Sequence, residues 1–233
     1  MKIFLAGAGG AIGRRLTPLL CAAGHAVVGT TRSADKATAV AALGAEPAVV
    51  DVFDADALAR AVKAAAPQVV MHQLTDLAFA PGTPQYDEAL ARNARLRIEG
   101  TRNLVAAAQA AGVRRLIAQS IAFIYAPGAG PRIESDPLLA AEGSTARTVN
   151  AVTALEQAVL AMPEGIVLRY GFFYGPGTWS ADGASRAGRG GRRTRGRRPA
   201  TGGAPGRTPR PAARGGGGGA PSRSPARATS RGT

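Results

Sequence analysis

The sequence predicts an α/β fold, a doubly wound parallel sheet, and three observations carry that prediction. A glycine-rich turn, Gly7-Ala8-Gly9-Gly10-Ala11-Ile12-Gly13, directly follows the first short apolar run. Behind it, apolar runs of strand length alternate with segments of helical period, and such alternation gives a parallel sheet with helices on both faces because crossovers are right-handed. The last large apolar residue is Trp179, so the folded part is expected to span about 1–180.

Residues 3–6 form an apolar run bounded by glycine, the pattern of a buried parallel strand. Ile12, Leu16, Leu19, Leu20 and Ala23 then share one helical face, stopped at Gly24. A second strand is expected over 26–30, with Ser33 as the cap of a helix that runs through Leu43 to Gly44. A third strand falls at 48–50. Asp54 caps the next helix, which carries Leu58, Ala61, Val62 and Ala65 and ends at Pro67. A fourth strand occupies 69–72. A long helix is expected over about 86–111, with Leu90, Ala94, Ile98, Thr101, Val105 and Ala108 facing inward. The fifth strand is 115–119, Val152, Leu155 and Val159 mark a further helix, and 166–170 is the sixth strand. Two mononucleotide-binding halves wound this way give the order 3-2-1-4-5-6.

Residues 181–233 differ in kind: 13 Arg, 14 Gly, 10 Ala and 6 Pro, one Asp, and no Val, Ile, Leu, Met or aromatic residue. Such a segment has no core to form and is expected to be a disordered, low-complexity basic tail. It carries +12 of the chain's formal +14, which leaves about +2 on the body and so predicts no nucleic-acid or membrane surface there. The tail itself would bind RNA or other polyanions through its arginines, although it lacks aromatic residues to stack on bases. Arg, Gly, Ala and Pro are also the residues of GC-rich codons. The favoured expectation is therefore an out-of-frame reading from about Gly183 onward, with a genuine tail as the alternative. Cys21 is the single cysteine and falls on the first helix, which predicts a buried thiol, no disulfide and a cytoplasmic setting. No apolar stretch reaches the 18 residues of a membrane span, and no metal site is expected.

A glycine turn between strand and helix lets backbone N–H groups and the helix N-terminus meet a pyrophosphate. Gly7 permits the turn, Gly10 the close approach, and Gly13 the helix-to-sheet contact, with Ala11 and Ile12 between them. The second strand ends in Thr30-Thr31-Arg32, without the acid that would bond a ribose 2′-OH. A guanidinium there pairs with a 2′-phosphate, so NADP is favoured as cofactor over NAD.

Five motifs in order make the chain resemble the NAD-dependent epimerase/dehydratase family, the extended and atypical short-chain dehydrogenase/reductases with a Rossmann fold. They are the glycine turn; Val50-Asp51; Val70-Met71-His72-Gln73-Leu74-Thr75; Gly100-Thr101-Arg102-Asn103-Leu104; and Leu168-Arg169-Tyr170-Gly171-Phe172-Phe173-Tyr174-Gly175-Pro176-Gly177. The resemblance implies that Asp51 and Val52 contact the adenine, that His72, Leu74 and Thr75 lie beside the cofactor, and that Tyr170 and Phe173 approach the nicotinamide. It also implies an oxidoreductase or a nucleotide-sugar epimerase acting on a small molecule. Relatives continue beyond this point into elements that supply much of the substrate pocket.

The catalytic pattern departs from that family. Its members use a Tyr general acid/base with a Lys four residues later, and a Ser/Thr that orients substrate. Aligned on Glu156, the Tyr and Lys positions hold Thr148 and Val152, and the Ser/Thr position, four residues before Tyr125, holds Ile121. Ser120 and Tyr125 are the hydroxyls left at the end of the fifth strand and become the catalytic candidates. Arg97 stands where many relatives have Asn, and with Asn93 it is expected on a solvated helix face. A non-catalytic NADP(H)-binding sensor and an inactive remnant are the readings against which an enzyme is weighed.

Overall fold

A computed structural model describes residues 1–76 and 85–174 of the chain. Six parallel strands form one sheet: β1 (Lys2–Ala6), β2 (Ala26–Thr31), β3 (Glu46–Val49), β4 (Val69–His72), β5 (Arg115–Ile121) and β6 (Glu164–Tyr170). Their order is β3-β2-β1-β4-β5-β6, as the alternation predicted. The register runs from Lys2 against Ala26, through Ile3 against Val69 and Val69 against Arg115, to Arg115 against Glu164. The strand order reverses between β1 and β4, and sheets of this type bind ligands in the crevice outside the carboxyl ends of the strands at that point. The predicted tail lies outside the described residues.

β1 is the centre of the core, with Ile3, Phe4, Leu5 and Ala6 all buried. Alternation along the strand sends them to opposite faces. Phe4 and Ala6 pack with Val28, Val70 and Leu116 against α3 (Ala55–Ala65), α5 (Thr101–Ala110) and α6 (Ala146–Leu160) through Leu58, Val62, Leu104, Ala108, Leu155 and Val159. Leu5 and Val27 pack with Val40 on the other face, against Leu16, Leu20 and Cys21 of α1 (Gly13–Ala22).

Several local expectations are corrected. In α1 the most buried positions are Gly13 and Thr17, while Leu19 and Ala23 are exposed. The helix is rotated so that its smallest residues touch the sheet, and the Thr17 hydroxyl donates back to the Gly13 carbonyl. Cys21 is only half-buried, its thiol donating to the Gly44 carbonyl. Ser33 makes no side-chain cap; a 3₁₀ turn at Ala34–Lys36 leads instead into a short α2 (Ala37–Ala41). β3 begins two residues earlier than predicted and contains Pro47, which an edge strand tolerates. Asp54 does cap α3, accepting from the Ala57 amide at 2.9 Å, and Ala66 turns left-handed (φ 43°) before Pro67.

The long helix is the largest correction. It is α4 (Tyr86–Arg95), a π-helical turn (Leu96–Gly100) and then α5. The wider turn shifts the helical phase, so Ile98, expected inside, is 45% exposed. Asn93 and Arg97, expected in solvent, are 3% and 5% exposed. Turns of this kind recur at functional sites.

Candidate dinucleotide site

The glycine turn is built for close contact. Gly7 adopts φ +95°, and a Cβ there would meet the Gln73 carbonyl group at 2.9 Å. At Gly13 a Cβ would penetrate the Gly7 carbonyl oxygen, so only glycine brings α1 this near to β1. The Gly7 amide donates to Thr30 Oγ1 at 3.1 Å, which ties the turn to β2. Gly9, Gly10 and Ala11 are exposed, and no atom lies within 4 Å of a Cβ at Gly9. Among the described residues, the amides of Ala11 and Ile12 have no backbone acceptor, and α1 carries neither an N-cap side chain nor an acid in its first turn. An open cradle of free N–H groups at a positive helix end fits a dinucleotide pyrophosphate.

Arg32 is exposed immediately after β2, at the same end of the sheet. Asp51, beyond β3, is exposed and accepts from the Phe53 amide at 3.0 Å. Val52 is buried, and its carbonyl accepts from Asn103 Nδ2 at 3.0 Å. Its side chain belongs to the core, and the Asp51 side chain is the exposed one of the pair.

At the end of β4 the His72 ring is completely buried. Nδ1 accepts from the Leu74 amide at 3.2 Å, so the proton sits on Nε2, which donates to Thr101 Oγ1 at 3.0 Å. Burial, reinforced by the nearby Arg97 charge, pushes its pKa down to about 4. This neutral ring, expected beside the cofactor, holds the turn that follows β4 through the Leu74 amide. Leu74 is half-buried against the core and Thr75 is exposed, so both border the crevice. The Asp76 amide donates to Asn93 Oδ1 at 3.0 Å and the Asp76 carboxylate pairs with Arg92, which anchors this loop to α4. Gln73 is 7% exposed; its Nε2 donates to the Tyr170 hydroxyl at 3.4 Å, while Oε1 has no partner among the described residues.

The candidates after β5 belong to an internal network. The Ser120 hydroxyl donates to Glu156 Oε1 at 2.6 Å, and Glu156 is bound by Arg169 Nε and Nη2 at 3.0 and 2.7 Å. Burial alone would raise the Glu156 carboxyl, but the bonds from Arg169 and Ser120 hold it below the ordinary value. The Tyr125 ring lies 4.7 Å from the same guanidinium. Tyr170 meets Phe173 edge-on at 5.4 Å, and Phe173 is 37% exposed. Where the acid/base pair of the resembled family would stand, Ile121, Ile124, Val149 and Val152 form an apolar cluster with Leu138 and Leu139, and Thr148 is half-buried at its margin. No group in that cluster can exchange a proton near neutral pH.

Two buried polar groups were not assigned to the site from sequence. Gln73 lay inside a recognised motif without a role, and Arg97 was hidden because a π turn leaves no trace in a 3.6-residue period. Among the described residues no group of His, Cys, Asp or Glu could hold a metal, and no helix is long and apolar enough to cross a membrane.

The profile of a family described as NAD(P)H-binding matches residues 7–160. A 3-diazoavenalumate denitrifying reductase from a Streptomyces species is 45% identical over 190 residues, 79% of this chain and 60% of that protein. The chain therefore spans about 60% of the length of this relative. A short-chain dehydrogenase/reductase superfamily protein from Agrobacterium tumefaciens with bound NAD superposes with a TM-score of 0.56 at 26% identity, over 72% of this chain and 48% of that one. A Thermus thermophilus UDP-glucose 4-epimerase with NAD reaches 0.60 at 23% identity, over 76% and 57%, and shares the fold.

Proposed function

Since the chain belongs to the NAD(P)H-binding family, we propose that it is a reductase whose acceptor needs a hydride but no proton from the protein. The observation that carries this reading is that the acid/base positions hold Thr148 and Val152, the latter packed in an apolar cluster with Ile121 and Val149. A carbonyl acceptor becomes an alkoxide and calls for an acid at its oxygen, and an epimerase calls for base and acid together. A diazo acceptor, of the kind named for the Streptomyces relative, calls for neither: an arenediazonium ion plus hydride gives the arene plus N₂, balanced in atoms and charge without a proton. A bound reduced nicotinamide would supply that hydride.

The chain's own residues bind and orient. The Gly7–Gly13 turn and the α1 N-terminus hold the pyrophosphate, Asp51 borders the adenine, and Leu74 and Thr75 line the crevice beyond β4. Tyr170 and Phe173 offer an aromatic wall to the reacting ring. Ser120, whose proton is engaged by Glu156, and Tyr125, which backs Arg169, act as positioning residues beneath that wall. Exposed Arg32 favours NADPH over NADH. The single, unpaired Cys21 suits a reducing cytoplasm.

Fluorescence titration is expected to give tighter binding of NADPH than of NADH, with Arg32→Asp reversing the preference by roughly tenfold or more. Benzenediazonium or its 4-carboxylate derivative should oxidise NADPH with release of N₂, at rates a panel of ketones and aldehydes, with and without a carboxylate, does not reach. Efficient reduction of the carbonyl panel with no diazonium turnover would overturn the reading. NADPH binding with no turnover of either would favour the sensor.

A further inference from the structure

Arg97 is a charge that the reading above leaves unused. It sits in the π turn, 5% exposed, and among the described residues no carboxylate, carbonyl or hydroxyl accepts a hydrogen bond from its guanidinium. Burial lowers its pKa to about 10, so at neutral pH it remains a cation. No nitrogen of Arg97 is both enclosed and unsatisfied, so a guanidinium on a buried stem keeps its donors open to an incoming oxyanion. Its five donors form a rigid fork that matches an oxyanion.

Position decides which oxyanion. The groups that suit cofactor phosphates lie after β1 and β2, at the glycine turn and Arg32. Arg97 lies beside His72 at the end of β4, on a turn packed against α6, which covers β5 and β6. The nicotinamide half of a dinucleotide carries no anion beyond the shared pyrophosphate.

We propose that Arg97 binds a carboxylate carried by the hydride acceptor and so selects acidic substrates. The word acceptor rests on the reductase reading; the carboxylate site does not.

The test uses the full chain saturated with NADP⁺ and two probes of matched size, cinnamate and cinnamamide, in calorimetric titration. Cinnamate is expected to bind about tenfold or more tightly than the amide. Arg97→Met should erase that preference, and Arg97→Lys should keep part of it, because an ammonium retains the charge without the fork. Equal binding of the two probes by the unaltered chain, no cinnamate binding, or a preference that survives Arg97→Met would overturn the proposal. Loss of NADPH binding in Arg97→Met, with the cinnamate preference intact, would assign the residue to a cofactor phosphate and overturn it too. A lower melting temperature for Arg97→Met would mean a partner within the protein, against the expectation of one equal or higher. Arg97-dependent cinnamate binding without diazonium turnover would uphold the carboxylate site and defeat the reductase reading; turnover without the preference would do the reverse.

Discussion

His72 and Arg97 show how burial sets the charge state of this site. The ring of His72 is neutral in the folded chain, with a pKa of about 4 against an ordinary 6.5. A base with a depressed folded pKa contributes stability that is full above the unfolded value and is lost as the pH falls from about 6.5 towards 4, on the order of 3 kcal/mol for this fully buried ring. Urea midpoints measured across that window should fall steeply for the unaltered chain and stay flatter for His72→Gln. Arg97→Met should leave the unliganded fold as stable as before or up to about 1 kcal/mol more stable at neutral pH, since a largely buried cation without a protein partner gives way to apolar contact. Chemical denaturation of the two chains checks the sign.

The helices and turns carry the next set of consequences. Gly13 allows α1 to lie against β1, and Gly13→Ala would drive a methyl into the Gly7 carbonyl. A destabilisation of about 2 kcal/mol or more is expected, with weakened NADPH binding, because helix and cradle must separate together. Denaturation and fluorescence titration of one preparation would show whether the two losses coincide. Asp54→Ala removes the side-chain bond that caps α3 and should cost about 1 kcal/mol, read from urea denaturation. In α6, Glu156 gathers Ser120 and Arg169 into one buried network. The held-down Glu156 carboxyl adds stability present above the ordinary carboxylate range and lost as the pH falls through its folded value, on the acid side of the His72 window.

Across the whole molecule, residues 1–174 contain every described strand and both faces of the sheet. A fragment 1–174 is expected to melt cooperatively and to be stabilised by NADPH by about 3 kcal/mol at one hundred times its dissociation constant. Broad, non-cooperative melting would show that later residues complete the core. Much of this architecture was legible in order of residues. Six short apolar runs, five helical segments and one glycine turn determine the element sequence, the parallel sheet, its 3-2-1-4-5-6 order and the dinucleotide cradle, because right-handed crossovers leave few other ways to wind them. Thr148 and Val152, read against a family pattern, already spoke against its acid/base pair. Which polar residues face inward was decided by tertiary structure alone. Asn93 shares the buried face of α4 with Ala89 and Ala94, a π turn after Arg95 places Arg97 inside and Ile98 outside, and the contact between α1 and β1 turned Leu19 to solvent and gave Thr17 its place. Periodicity assumes a uniform 3.6-residue helix, whereas the packed molecule sets the phase of each turn by the space its neighbours leave.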